Sequence, residues 1–216
     1  MKRTLIGLAL LAAVAAAAPA SAGVVTITSP PGTVVSGWSL LALPGIPLYP
    51  DPPTVMGSIP IDAKLYRWDA ATQSLVAYDE WMPEGFGNML LTDGYWLQAS
   101  SAQTISYTGL DDNDSMDVWI SLPKAGWTLF GNPFTYSFPW TDAKVLDGNV
   151  TVSMADAVHT HGWLQPLGYW WDSSTQSLLT YGLPDDWPDT DTLLAWHGFW
   201  IQTNVDKIAL IFESTL

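Results

Sequence analysis

Cysteine is missing from this sequence. Its absence excludes disulfides, thiolate metal sites and a cysteine nucleophile. Small exported domains often use disulfides to offset a small core, so here the core must hold unaided. Basic residues are scarce. Seven Lys and Arg stand against 21 Asp and Glu, a formal net charge of −14. So acidic a chain repels nucleic acid and anionic lipid. Beyond residue 22 no run is long and apolar enough to read as a membrane-spanning helix. No Gly-x-Ser-x-Gly elbow occurs, and no glycine-rich phosphate loop precedes a helix. No cofactor is expected.

What is present begins with a secretory signal. Lys2 and Arg3 form a charged head, residues 5–18 a short apolar run, and Ala20-Ser21-Ala22 a small-residue cleavage site. Residues 1–22 are therefore read as a signal peptide. Cleavage before Gly23 leaves five basic residues against 21 acidic ones. An exported protein is expected, in the periplasm, at the cell surface or outside the cell.

The chain then states one pattern twice. Gly37-Trp38-Ser39-Leu40 returns as Gly126-Trp127-Thr128-Leu129. Tyr66-Arg67-Trp68-Asp69-Ala70-Ala71-Thr72-Gln73-Ser74-Leu75 returns as Tyr169-Trp170-Trp171-Asp172-Ser173-Ser174-Thr175-Gln176-Ser177-Leu178. Gly94-Tyr95-Trp96-Leu97-Gln98 returns as Gly198-Phe199-Trp200-Ile201-Gln202. Three matches in the same order mean a duplicated folding unit. The organisation reads as a leading strand and turn at 23–32, repeat one at 33–110, an acidic linker at 111–116 and repeat two at 117–216.

Each repeat reads as β-structure. Residues 64–68 and 75–78 flank a polar turn, a hairpin signal. Residues 95–98 and 104–107 predict a second hairpin, and 169–181 and 199–211 predict the same pair in repeat two. Asp69 and Asp172 open turns whose backbone N–H groups a carboxylate can accept. Gly94 and Gly198 mark places where a side chain would obstruct close packing. The leading strand is expected to pair with repeat two. Ser153 caps one plausible helix over 153–158. The matching region of repeat one carries Pro47, Pro50, Pro52 and Pro53 and predicts a loop. The expected fold is all-β: two tandem, homologous small antiparallel β-sandwiches or barrels, with one short helix in repeat two. Trp38/Trp127, Trp68/Trp171, Trp96/Trp200 and Tyr66/Tyr169 recur, and packing in the core is the simplest need both copies share.

These motifs resemble a repeat of bacterial secreted and surface proteins that reads roughly Gly-Trp-Asn-Leu-Ile-Ser-Leu-Pro, then a Tyr-x-Trp/Tyr-Asp hairpin, then Gly-Tyr-Trp. Gly126-Trp127-Thr128-Leu129-Phe130-Gly131-Asn132-Pro133-Phe134, the downstream Trp140 and the close at residues 196–200 fit its second copy. The resemblance implies a β-fold and export, and it carries no established activity.

Two loops hold candidate binding residues. Asp79, Glu80 and Trp81 lie after the first hairpin of repeat one, and Asp185, Asp186 and Trp187 lie in the same place in repeat two. A ring flanked by carboxylates suits sugar binding, since the face stacks on C–H groups and the acids accept from hydroxyls. The competing reading folds each Trp back as a lid with its acids in water. Asp111, Asn113, Ser115 and Asp117 alternate as in a calcium loop, but the turn glycine is missing and position twelve is Leu122; a solvated linker is the simpler reading. His159, His161 and His197 could be a zinc set, against unrelated surface histidines. The expected function is a non-catalytic module for protein–protein contact or extracellular assembly. Carbohydrate binding through the acidic Trp loops is the alternative, and a carboxylate-based hydrolase comes last. The expected partner is an unknown protein or a polysaccharide, not nucleic acid.

Overall fold

The structure, a computed structural model, describes residues 23–214. The expected signal peptide lies outside the described residues. Repeat one supplies β1 (Val24–Thr28), β2 (Gly37–Ala42), β3 (Ile46–Pro47), α1 (Pro52–Met56), β4 (Leu65–Asp69), β5 (Ser74–Ala77), α2 (Pro83–Phe86), β6 (Gly94–Ala99) and β7 (Ser106–Leu110). Repeat two supplies β8 (Val118–Leu122), β9 (Gly126–Gly131), β10 (Phe138–Pro139), β11 (Lys144–Asp147), β12 (Val150–Ser153), β13 (Leu167–Asp172), β14 (Ser177–Gly182), β15 (Thr192–Leu193), β16 (Gly198–Thr203) and β17 (Ile208–Phe212). The fold is all-β. Its small antiparallel sheets, four of them larger than a two-stranded ribbon, form a propeller-like arrangement.

The sheets come in matched pairs. The order β2-β6-β4-β5 in the first half is repeated as β9-β16-β13-β14 in the second. The order β1-β7-β3 is repeated as β8-β17-β11, with β12 added at the end. Register is kept too, since Trp38 faces Gln98 across one ladder as Trp127 faces Gln202 across the other. The extra residues of repeat two, between its first strand and first hairpin, build the added strand and a wide helical turn over Asp156–Thr160.

Five expectations from sequence meet this topology. The hairpins β4–β5 and β13–β14 are present. The second hairpins are not: β6 pairs with β2 and β4, whereas β7 pairs with β1 and β3, and β16 and β17 divide in the same way. Residues 100–105 carry the chain from one sheet to another, and alternation along a strand does not reveal its partner. The leading strand β1 pairs with β7 of its own repeat, Val24 opposite Leu110, and not with repeat two. It is the counterpart of β8, which pairs with β17. The proline-rich stretch of repeat one is not all loop. Asp51 Oδ1 accepts from Thr54 N, and Pro52 and Pro53 fill the first helical positions of α1, where a missing N–H costs nothing. The expected helix of repeat two forms as a short turn, with Ser153 Oγ accepting from Asp156 N at 3.1 Å.

Each half has its own core. In repeat one Leu41, Leu65, Tyr95, Leu97, Ile105 and Tyr107 meet α1 residues Val55 and Met56. In repeat two Phe130, Val145, Tyr181, Phe199, Leu210 and Phe212 pack together. Trp196 crosses the boundary: it belongs to repeat two, yet it is buried in the core of repeat one, 6.2 Å from the Tyr107 ring. Its left-handed backbone (φ 66°) aims it there.

The two halves clasp each other reciprocally. Trp38 N donates to Gln176 Oε1 at 2.8 Å, and Gln176 Nε2 and Trp171 Nε1 both donate to Trp38 O, at 2.8 and 2.9 Å. Trp127 N donates to Gln73 Oε1 at 2.8 Å, and Gln73 Nε2 and Trp68 Nε1 donate to Trp127 O, at 2.9 and 2.8 Å. Gly37 and Gly126 must be glycine, for their φ values are +110° and +126° and a Cβ would stand 2.4 and 2.5 Å from the opposing glutamine oxygen. Backbone bonds repeat the exchange, Ala42 N to Trp196 O and Gly131 N to Thr92 O, both 3.0 Å. Leu40 and Leu129 are buried but belong to neither core. They fill the seam against Gly198 and Gly94, where a Cβ would come within 3.0 and 2.7 Å of them.

Removing one glutamine strips a backbone N–H of its partner and leaves the C=O with one of its two donors, the indole N–H. Gln73→Ala and Gln176→Ala should each cost about 1–2 kcal/mol in urea unfolding, at roughly 0.5–1.5 kcal/mol per hydrogen bond. Trp196→Ala should cost more, about 3–5 kcal/mol, as a buried tryptophan truncated to a cavity.

Candidate functional site

The recurring aromatics are not core residues. Trp38, Trp68, Trp96, Trp127, Trp171, Trp200, Tyr66 and Tyr169 are all only partly buried. The alternation of the strands explains this. In β6, Tyr95 and Leu97 turn into the core of repeat one, so Trp96 between them turns to the other face of the sheet. Phe199, Trp200 and Ile201 repeat the pattern in β16. The outer faces of the two central sheets meet at the seam, and their rings spill beyond it.

Two apolar grooves result, related by the duplication. The first, about 360 Å³, is lined by Trp38, Tyr66, Leu75, Trp96 and Trp171. The second, about 510 Å³, is lined by the counterparts Trp127, Tyr169, Leu178, Trp200 and Trp68, together with Trp96. The first groove takes one ring, Trp171, from the opposite repeat, and the second takes two, Trp68 and Trp96. Trp171 packs edge-to-face on Trp96 at 5.4 Å, and Trp68 packs on Trp200 at 4.8 Å. These borrowed rings are fixed by the N–H bonds they give to the clasp. Among the described residues, no carboxylate, histidine, lysine or arginine lines either groove.

The acidic Trp loops lie elsewhere. Trp81 is 85% exposed and Trp187 is 92% exposed, so neither folds back as a lid. Asp79 Oδ1 accepts from Trp81 N at 2.8 Å, and Asp62 Oδ1 accepts from Glu80 N. Trp187 takes a left-handed backbone (φ 58°) at the end of a turn over Pro184–Asp186. Asp185 is exposed and Asp186 half-buried, with its Oδ2 3.4 Å from His159 Nε2.

The other candidates are dispersed. Asp111 precedes a short 3₁₀ turn that ends at Ser115, Asp117 Oδ1 accepts from Ser214 N, and the Asn113 side chain lies outside the described residues. His161 stacks on Trp163 at 4.4 Å, and His197 Nδ1 donates to Ala195 O at 2.8 Å. Among the described residues no group of three or more His, Asp and Glu is placed to hold a metal ion. Asp69 and Asp172 open their turns as expected, accepting from Ala71 N and Ser174 N. The Thr72 and Thr175 hydroxyls, with these amides, hold both carboxyls below the usual carboxylate range. Gln73 and Gln176 stood inside the repeated motif, but no chemistry of their own marked them. Only the second copy of the motif could have pointed to them, and pattern alone does not tell a seam from a core.

The comparisons add no relative: no family model, curated protein or solved structure matches the chain.

Asp93 and His197 occupy equivalent positions beside the seam, in the bridges Asp93–Phe130 and Leu41–His197. Burial pushes the Asp93 carboxyl up and the His197 imidazole down. A depressed histidine stabilises the fold fully above its unfolded value of about 6.5, and that contribution is lost as pH falls. Asp93 acts in the opposite sense, since its ionisation weakens the fold as pH rises through its raised pKa. The melting temperature of the unsubstituted protein relative to His197→Gln should therefore fall between pH 7 and pH 5, because only the former loses the histidine contribution.

Proposed function

We propose that this chain is an exported, non-catalytic module for protein–protein contact in surface or extracellular assembly. Each half acts as a small sandwich of two sheets, and the likeness to the bacterial Gly-Trp and Gly-Tyr-Trp repeat is part of the same proposal. The observation that carries it is the pair of loops that hold Trp81 and Trp187 out in solvent at 85% and 92% exposure. Large aromatics are the residues that anchor protein interfaces. The adjoining Asp79, Glu80, Asp185 and Asp186 favour a partner with a basic surface. The non-catalytic reading is supported by the state of the acids. Asp69, Asp172 and Asp189 are held as hydrogen-bond acceptors within their own turns and loops, and Asp93, whose carboxyl burial pushes up, lines neither aromatic groove.

Photo-crosslinking tests this in the producing organism. Benzoylphenylalanine placed at Trp81 or Trp187 should yield a discrete protein adduct, while the same probe at exposed Val150 should not. Adducts carrying only polysaccharide would turn the reading to carbohydrate binding, and no adduct at either loop would overturn it.

A further inference from the structure

We propose that the first aromatic groove is a binding site for a small quaternary ammonium cation of the choline type. It goes beyond the proposed protein contact and rests on different residues.

The argument starts from the lining. Trp38, Trp96, Trp171 and Tyr66 surround about 360 Å³ with Leu75. Their planes do not lie parallel: Trp38 and Trp96 cross at 88°, Trp96 and Trp171 at 67°, and Trp38 and Tyr66 at 46°. Rings set at such angles line an open groove in which one ligand can reach more than one ring. A cation within about 6 Å of several ring centroids is attracted by each ring quadrupole. The walls are preorganised, since Trp171 donates to Trp38 O and Tyr66 Oη donates to Ala63 O at 2.9 Å.

The same lining decides between ligand classes. A sugar, an ammonium or a guanidinium brings polar groups that must be hydrogen-bonded or pay for desolvation. The groove has little to offer them. The one hydroxyl in its lining donates to Ala63 O, and no carboxylate lines it. A quaternary ammonium has no N–H to leave unsatisfied. A neutral apolar molecule would fit the walls but draws nothing from a chain with a net charge of −14. That field attracts a cation and repels an anion. No Lys or Arg lines the groove to receive a phosphate or carboxylate. A simple cation such as choline therefore fits better than phosphocholine or glycine betaine.

The two grooves differ in charge. Lys124 Nζ donates to Ala71 O at 3.2 Å, on the turn that follows the Trp68 wall of the second groove. The corresponding position in repeat one, 89 residues earlier, is Val35. The first groove should thus be the stronger site.

Choline chloride titrated into the folded protein at constant ionic strength should give a saturable change in tryptophan fluorescence. Its neutral isostere 3,3-dimethylbutan-1-ol should bind at least tenfold more weakly, and phosphocholine and glycine betaine should also be weaker. Trp38→Leu should remove most of the response and Trp127→Leu little, with urea unfolding used to confirm that each variant is folded. Should Trp38→Leu not fold, protein labelled with fluorinated tryptophans keeps the ring shape and weakens the quadrupole, so choline affinity should drop with each added fluorine. Equal binding of choline and its isostere, no saturation, or affinity indifferent to fluorination would overturn the proposal. So would binding seen only with phosphatidylcholine vesicles or a trimethyllysine peptide. Crosslinking at Trp81 and Trp187 is independent of all these readings, so the two proposals fail separately.

Discussion

Everything in this molecule is organised around one exchange: a glutamine side chain of each half hydrogen-bonded, through both of its amide atoms, to one backbone unit of the other. A primary amide carries a donor and an acceptor side by side, which suits a peptide N–H and C=O of the same residue. Gln73 and Gln176 use this match to bind Trp127 and Trp38. The exchange fixes the relative position of two otherwise separate cores. It needs a turn that presents the glutamine, and Asp69 and Asp172 supply one by accepting its backbone N–H groups. It needs a strand start without a side chain, which Gly37 and Gly126 provide. It needs an indole N–H to fill the second lone pair of the tryptophan carbonyl, which Trp68 and Trp171 donate. The repeated sequence motifs are the parts of this one device.

That is why the repeats were so legible and their meaning was not. Duplicated residues serve a need that both copies share, and folding of each copy alone is the simplest such need. A two-fold seam is another need of the same kind, and it imposes the same pairs of residues. Strand alternation puts Tyr95 and Trp96 on opposite faces of β6, and alternation alone does not say which face meets the core. The turns at Asp69 and Asp172 and the close contacts at Gly94 and Gly198 were legible because their causes are local or steric. The second hairpins failed for a different reason. The chain leaves β6 and β16 for another sheet, and partner choice is a property of the whole fold. Prolines 52 and 53 misled because proline excludes helix interiors but not first turns. The grooves were invisible, for each borrows a wall from the other repeat, far from the rest of its lining in sequence.

The halves are not equal partners. Repeat two carries the added β12, the helical turn and Trp196, whose indole completes the core of repeat one. Thr92 holds the corresponding place in repeat one, offering its carbonyl to Gly131 but no ring to the core of repeat two. Repeat one thus depends on repeat two for packing beyond the shared seam. Its own core is the one that includes a proline-started helix in place of a strand. The asymmetry makes the two halves a single cooperative unit more than a pair of independent domains, since loss of the seam would open a core as well as break hydrogen bonds.

The seam accounts for some of the aromatic residues and not for others. Trp68 and Trp171 are explained by it, since an aliphatic side chain has no N–H to give the opposing carbonyl. Leu40 and Leu129 are explained by burial between the sheets. Trp38, Trp96, Trp127 and Trp200 stand differently. Their backbones or sheet positions serve the clasp, but their rings remain partly open to solvent on the groove side. Each leaves apolar surface in water that a smaller residue would not, and burial is the term that favours large apolar groups in a fold, at roughly 25 cal/mol per Å². Burial of area therefore does not by itself require tryptophan at these four positions. What tryptophan adds over leucine is a broad polarisable face with a fixed quadrupole, which acts ring to ring in the edge-to-face pairs Trp38–Trp96, Trp96–Trp171 and Trp68–Trp200 and, on the groove side, on whatever occupies it.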